Sequence, residues 1–134
     1  MSTVGAIALL GLTAATLRLE AAASSIANMR STGPLSDAAN ASVYAPAYTP
    51  VEVTQTPNAA GGVLATLGPS TREAVAAYDP NAPYANAQGL VASLDVDLTE
   101  QVVGLITSGY AFTANLKTMQ AEAEMLATAL SITA

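Results

Sequence analysis

The chain has 134 residues and a net charge of −6, with four basic side chains and no histidine, cysteine or tryptophan. The missing histidine and cysteine exclude imidazole and thiol catalysis, zinc–thiolate sites and disulfides, and four basic residues are too few for a phosphate-tracking surface. Hydrophobic residues make up 51% of the chain, but alanine supplies much of that share and buries little area. This composition argues against a large monomer core and suggests that other molecules cover much of the surface.

Residues 2–30 predict a long helix. The segment lacks proline, consists mainly of good helix formers, and offers Ser2 or Thr3 as a cap. Two apolar stripes follow helical spacing. Seam A comprises Leu9, Leu12, Thr16, Leu19, Ala23 and Ile26, and seam B comprises Ile7, Leu10, Ala14, Leu17 and Ala21. A helix that is apolar on two sides is expected to be buried between several neighbours.

The same segment raises the question of targeting. Residues 4–17 are apolar, but no basic residue precedes them, as a secretory signal requires. The run is shorter than the ~20 residues that span a bilayer, and Arg18 closes it. We therefore expect neither a cleaved signal nor stable membrane insertion. A helix lying in the membrane interface, with the apolar cluster Leu9, Leu10 and Leu12, stays as the alternative.

Residues 31–96 contain all seven prolines, which excludes a long helix there. Alternation of residue types predicts a strand over 50–56, and another is predicted over 63–67 after a Gly-Gly turn. Weaker signals predict strands over 72–78 and 90–94. The middle of the chain is thus predicted to be a Pro-rich loop and small β region.

Residues 97–131 predict a second long helix, which opens with the capping-box spacing of Asp97 and Glu100. Its apolar positions then alternate in steps of three and four, typical of a left-handed coiled coil. This seam C comprises Val102, Leu105, Gly109, Phe112, Leu116, Met119, Ala123, Leu126 and Leu130. The predicted fold is mainly α with a small β insert. Helices 2–30 and 97–131 pair antiparallel as one coiled-coil domain, with a Pro-rich β-hairpin region, 31–96, at its tip.

Two groups of polar side chains have the residue types of chemical sites. Asp95, Asp97 and Glu100 would suit a divalent cation, but they lack the glycine-containing loop of an EF-hand, and helix capping explains them as well. Ser108 and Lys117 would suit a Ser–Lys nucleophile, but they lie nine residues apart on the predicted helix without evident oxyanion donors. The structural interpretation is favoured for both groups, and no catalytic residue, cofactor or metal is predicted.

Two further groups lie on the predicted helices. Met119 and Met125, with Phe112, are interpreted as packing residues rather than as the lining of a ligand pocket. Asn28 and Asn115 are amides within or next to apolar helices. A buried asparagine can set the register between helices, and periodicity alone favours that role no more than exposure at a helix rim.

Both ends of the chain carry motifs that resemble those of a known family. Residues 26–28 match the end of an Asn-Asn-Ile-Ala-Asn run, although Ser24-Ser25 replace its two asparagines. The C-terminal resemblance is stronger: it begins at Tyr78-Asp79-Pro80, and Ser108, Tyr110 and Ala114-Asn115 match residues of a Ser-Arg-x-Tyr-x-Ala-Asn motif, with Gly109 in place of Arg. The chain thereby resembles the flagellar basal-body rod and hook family of bacterial axial proteins.

The resemblance implies a structural subunit that is not an enzyme and takes no cofactor, nucleic acid or small-molecule substrate. It implies export without a cleaved signal, and assembly with other copies and other rod proteins into a torque-transmitting rod across the periplasm. The terminal helices would line the core of that tube, where neighbouring subunits supply the missing core. The predicted assembly interface comprises Leu9, Leu12, Leu19, Ile26, Asn28, Leu105, Phe112, Asn115, Leu116, Met119, Leu126 and Leu130. The alternative hypothesis is a small membrane-interacting helical-hairpin protein.

Overall fold

The structure, a computed structural model, describes residues 3–39 and 41–133. The predicted cap at Ser2, where the predicted 2–30 segment begins, lies outside the described residues. Two long helices enclose five short strands in chain order. The elements are α1 (Thr3–Asn28), β1 (Thr32–Gly33), β2 (Val51–Pro57), β3 (Val63–Pro69), β4 (Val75–Tyr78), β5 (Leu90–Ser93) and α2 (Leu98–Thr133).

The two helices lie antiparallel, with a register that two close approaches define. A Cβ built on Gly5 would collide with the carboxylate of Glu122, and one on Gly11 would lie 2.7 Å from the amide carbon of Asn115. Because α1 has 26 residues and α2 has 36, α2 extends past the start of α1. Pairing of the terminal helices is therefore observed, whereas their supercoiling stays a prediction.

The start of α2 confirms one half of the predicted capping box. The Asp97 carboxylate accepts hydrogen bonds from the backbone N–H groups of Thr99 at 2.7 Å and Glu100 at 3.4 Å, and these bonds lower the pKa of Asp97. The other half is wrong: the Glu100 carboxylate binds Arg72 at 3.0 Å instead of turning back towards the cap. An arginine distant in sequence has outcompeted the local backbone donor.

Strands β2 and β3 form an antiparallel hairpin that packs on α1. Residues Val51 to Pro57 pair with Pro69 to Val63, and the turn uses Gly61 and Gly62 at φ of 93° and 81°, a conformation that glycine adopts without steric cost. The turn contacts α1, because a Cβ on Gly62 would lie 3.2 Å from Cδ1 of Leu10. The hairpin predicted over 50–56 and 63–67 is thus confirmed.

The remaining strands form a three-stranded antiparallel sheet in the order β1-β5-β4. Its centre is β5, where Val91 and Ala92 are buried. The strands predicted over 72–78 and 90–94 are present with shorter bounds, and the two-residue β1 was not predicted, since its residues resemble a turn. This sheet connects the end of α1 to the start of α2.

Tyrosine side chains hold the chain between β1 and β2, and the chain between β4 and β5, against this frame. The Tyr48 hydroxyl lies 2.6 Å from Ser24 Oγ, and the Tyr84 hydroxyl lies 2.7 Å from Thr32 Oγ1. The rings of Tyr44 and Tyr84 also pack, with centroids 5.5 Å apart. Among the described residues between Pro34 and Pro50, no helix or strand forms, as the sequence predicts for most of this stretch.

Candidate assembly surface

The contact between α1 and α2 is made of small side chains. Ala8, Ala15 and Ala22 of α1 and Ser108 of α2 are buried, none more than 6% exposed. Val91, outside the helices, is the largest fully buried side chain of the described residues. Small residues allow a close approach but bury little apolar area, so the large apolar side chains of the helices remain at the surface.

Seam C lies beside the intrachain contact and does not form it. The α2 residues nearest α1 include Ser108, Asn115 and Glu122, and each directly precedes a seam C residue. One residue rotates the position by about 100° around the helix. Five large seam C side chains are therefore exposed, by 41% at Val102, 36% at Phe112, 40% at Leu116, 55% at Leu126 and 70% at Leu130, whereas Leu105 and Met119 are half-buried.

Seams A and B of α1 have different environments. Seam B turns towards the hairpin, where Ile7 and Leu10 contact the Gly61–Gly62 turn and Ala14 and Ala21 are buried. Seam A lies on another side of the helix: Leu9 is 43% exposed, close to the 41% of Ile7 in seam B, and Leu12, Leu19 and Ile26 are half-buried. The two apolar stripes read from the sequence thus border different surfaces.

Seams A and C form one surface across both helices. The hairpin covers one flank of α1, and the residues of α2 on that same flank include Glu100, Gly104 and Thr107. At 100° per residue, seam A and seam C fall on the opposite flank of the antiparallel pair. We call this surface the apolar face. Its members are Leu9, Leu12, Leu19, Ile26, Leu105, Phe112, Leu116 and Met119.

The two asparagines of the predicted interface lie in different places. Asn115 is half-buried against Gly11 in the intrachain contact, and its Nδ2 donates to the Ala111 carbonyl at 2.8 Å. Asn28 ends α1, where its Nδ2 donates to the Ser24 carbonyl at 2.9 Å. Asn115 therefore touches the partner helix within this chain, while Asn28 satisfies its own helix end.

The acidic cluster is divided among structural contacts. Arg72 lies 3.0 Å from a Glu100 carboxylate oxygen and 3.8 Å from Glu52, and the Glu100 hydrogen bonds are the main cause of its raised pKa. Asp97 caps α2, as described above. In the part of the chain that the structure describes, no three acidic side chains are arranged to hold a metal ion.

The residues considered for other chemistry are likewise spread out. Ser108 is buried and Lys117 exposed, and nine residues of helix separate them by about 13 Å along the axis. Met125 is 64% exposed near the end of α2, whereas Met119 is half-buried at the apolar face. The structure thus brings neither the Ser–Lys pair nor the two methionines together.

An open groove on the hairpin side was not predicted. It has a volume of about 450 Å³ and lies between β2 and the first turns of α2, with α1 as its floor. Ala21, Ala22 and Gly104 line it together with the buried Ser25 and Ser108. Only the contact between three distant segments creates this groove, although the small residues at these positions are visible in the sequence.

The apolarity of α1 also bears on the membrane hypothesis. Thr3–Asn28 is long and apolar enough to cross a bilayer by length and composition, with 28% of the window buried in the structure. Core helices and signal sequences meet the same criterion. Here the hairpin covers one flank of α1 and α2 another.

A helical pair with a small tight core and a wide apolar face is typical of a structural subunit that assembles with other chains. The comparison with known families agrees with this class. Residues 87–132, from just before β5 almost to the end of α2, match the family model of the flagellar basal body rod FlgEFG protein C-terminal region. The match covers about a third of the chain. No curated protein matches the chain.

This match supports a relationship to the flagellar rod and hook proteins, which are structural components and not enzymes. It supports a place in the flagellar basal body and assembly with other rod proteins. The match coincides with the part of the chain in which the sequence resemblance is stronger, and it includes the exposed stripe of α2.

Proposed function

We propose that this chain is a structural subunit of the proximal rod of the bacterial flagellum, most similar to the proximal rod protein FlgC. The subunit assembles helically with its own copies and with other rod proteins through its terminal helices, and the resulting rod transmits torque. It is exported without a cleaved signal through the flagellar secretion channel and functions across the periplasm.

The apolar face is the observation that carries this proposal. Its side chains are large, lie on both terminal helices, and are 36 to 43% exposed at Leu9, Phe112 and Leu116. A monomer gains nothing from exposing them, because contiguous apolar surface of this kind typically marks an interaction site. Helical assembly covers such a face on every subunit, since each contact propagates to the next copy.

The short connector between the helices supports the proximal rod in particular. The strands and loops between α1 and α2 make a small β region, whereas the resemblance implies larger inserts for other rod and hook members. The motif similarity at residues 78–80 and 108–115 points to the same subtype.

A charge on the apolar face tests the proposal. We expect Leu116→Asp to abolish rod assembly and swimming, because an unpaired carboxylate in an apolar interface is strongly unfavourable. Export of the chain should continue. Thr113→Asp, on an exposed part of the same helix, is the matched control and should leave swimming intact. Normal swimming of Leu116→Asp cells would overturn the interface assignment.

The second candidate function is a membrane-interacting helical hairpin, which the length and apolarity of α1 favour. Flotation of the purified chain with anionic and neutral vesicles separates the two functions. The rod subunit is expected to stay at the bottom of the gradient, and flotation that Leu9→Asp abolishes would favour the membrane hypothesis.

A further inference from the structure

The side of α2 that contacts α1 is polar at every seventh residue. The residues at this spacing are Gln101, Ser108, Asn115 and Glu122. Ser108 is 4% exposed and the other three are half-buried, whereas Val102 and Leu116, which each follow one of them, are exposed. Because seven residues make close to two helical turns, the four side chains share one face of α2. We call them the polar stripe.

Two members of the polar stripe lie over the two glycines of α1. A Cβ built on Gly5 would lie 3.1 Å from Cδ of Glu122, and one built on Gly11 would lie 2.8 Å from Nδ2 of Asn115. A side chain at either glycine would therefore displace the polar group opposite it. Glycine weakens a helix, and at these positions it supplies the space that the polar side chains occupy.

The two contacts together are compatible with one register. Gly5 and Gly11 are six residues apart, about 9 Å along α1, and Asn115 and Glu122 are seven residues apart, about 10.5 Å along α2. These lengths agree closely enough for both polar side chains to meet a glycine at once. Sliding by one heptad in one direction brings Glu122 to Gly11 but carries Asn115 to a residue that has a side chain. Sliding in the other direction carries Glu122 past the start of α1.

Burial of apolar area does not explain why this stripe contacts α1. Seam C lies one residue further along α2 and has larger apolar side chains, so turning it towards α1 would remove more apolar area from water. The polar stripe is nevertheless well accommodated. Nδ2 of Asn115 donates to the Ala111 carbonyl at 2.8 Å, and within the described residues no buried side-chain nitrogen or oxygen lacks a hydrogen-bond partner. Polar residues at the contact positions of paired helices specify one register at a cost in stability.

We propose that Asn115 and Glu122, seated over Gly11 and Gly5, are positioning residues that fix the register and the rotation of α2 on α1. The inference goes beyond the proposed function, because it concerns pairing within a single chain. Its consequence is the side-by-side placement of seams A and C. A slide of α2 along its axis, or a turn about it, would separate the two halves of the apolar face.

Removing the polarity of the contact tests this role. In the double variant Asn115→Leu/Glu122→Leu, the stripe becomes apolar and accepts more than one register. The helices should therefore remain folded, with no loss in the urea midpoint, and should lose their unique alignment. The matched control Gln120→Leu/Glu124→Leu replaces an amide and a carboxylate at exposed positions of α2, and its alignment should not change.

Spin labels measure the alignment. Thr13→Cys and Thr113→Cys place labels at exposed positions of the two helices, and no other site is labelled because the chain contains no cysteine. The labelled chain is diluted into unlabelled chain of the same variant, so that pulsed electron paramagnetic resonance reports distances within one chain. A slip of one heptad moves one label by about 10 Å along the axis relative to the other.

The distance distributions decide between a positioning role and simple packing. We expect one narrow distance in the parent chain and in the control, and a broadened or double distribution in the leucine variant. If the polar stripe only fills space, the leucine variant should show a lower urea midpoint and keep the single narrow distance. That single distance would overturn the proposal.

A double-mutant cycle at one contact gives a second measurement, which decides the matter if circular dichroism shows that the leucine variant loses its helices. Gly11→Ala should lower the urea midpoint, although alanine favours a helix more than glycine does, because its Cβ displaces the Asn115 amide. Combined with Asn115→Ala, the loss should be smaller than the sum of the two single losses. Additive losses would show that this glycine and this amide do not act together, and would overturn the proposal.

Discussion

The two flanks of the helical pair have similar apolar side chains and different surroundings. On one flank the β hairpin covers seam B, and the Gly61–Gly62 turn contacts Ile7 and Leu10. On the other flank seams A and C form the apolar face, where Leu9, Phe112 and Leu116 are exposed and the other members half-buried. The contrast separates stability from assembly, because apolar residues on the covered flank contribute to folding and those on the apolar face contribute to contacts between subunits.

The largest effect on the fold is expected between the two helices. Ala15 is 2% exposed, so Ala15→Leu forces extra volume into the close contact and should destabilise the chain by about 1–3 kcal/mol. Urea unfolding measures this change. Ala23→Leu places the same side chain at an exposed position and should change stability by less than about 0.5 kcal/mol. Equal losses of unfolding free energy in both variants would contradict close packing of the two helices at Ala15.

Adjacent leucines give a sharper comparison of the two flanks. Leu10 packs against the hairpin turn and Leu9 is 43% exposed on the apolar face. Leu10→Asp should lower the free energy of unfolding by about 1–2 kcal/mol, from lost burial. Leu9→Asp should leave unfolding nearly unchanged and yet prevent rod assembly. The comparison fails if both variants lose stability equally, or if Leu9→Asp cells still assemble rods.

Much of the fold can be predicted from residue types, because long proline-free segments and Gly-Gly turns act locally. The strand β1 is missed, since its two residues are held by pairing with Ser93 and Ala92 and not by their own preference. The partner of Glu100 is missed for a similar reason: Arg72 is brought to it by the fold.

Periodicity alone could not predict which stripe of α2 contacts α1. Seam C and the stripe one residue before it both repeat in steps of three and four. Because its apolar side chains are larger, seam C is the stripe that the sequence favours as the helix contact. The intrachain contact instead uses Ser108, Asn115 and Glu122, because Gly11 and Gly5 of α1 let Asn115 and Glu122 approach closely. The groove depends on the same choice, so no local pattern indicates it.

The smallest expected effect concerns the helix cap at the start of α2. Acid should weaken this cap without distinguishing the flank under the hairpin from the apolar face. The backbone N–H groups of Thr99 and Glu100 lower the pKa of Asp97, so its charged form is the one that the folded state stabilises. That contribution is fully present above the ordinary Asp pKa of about 4 and is lost as the pH falls through the lower, folded value. The backbone amides of Thr99 and Glu100 should therefore be less protected from hydrogen exchange in acid than near neutrality, once the intrinsic pH dependence of exchange is corrected for. Asp97→Asn caps the helix without titrating, and its protection should not change over that range. An identical acid response in both chains would assign the effect to other carboxylates.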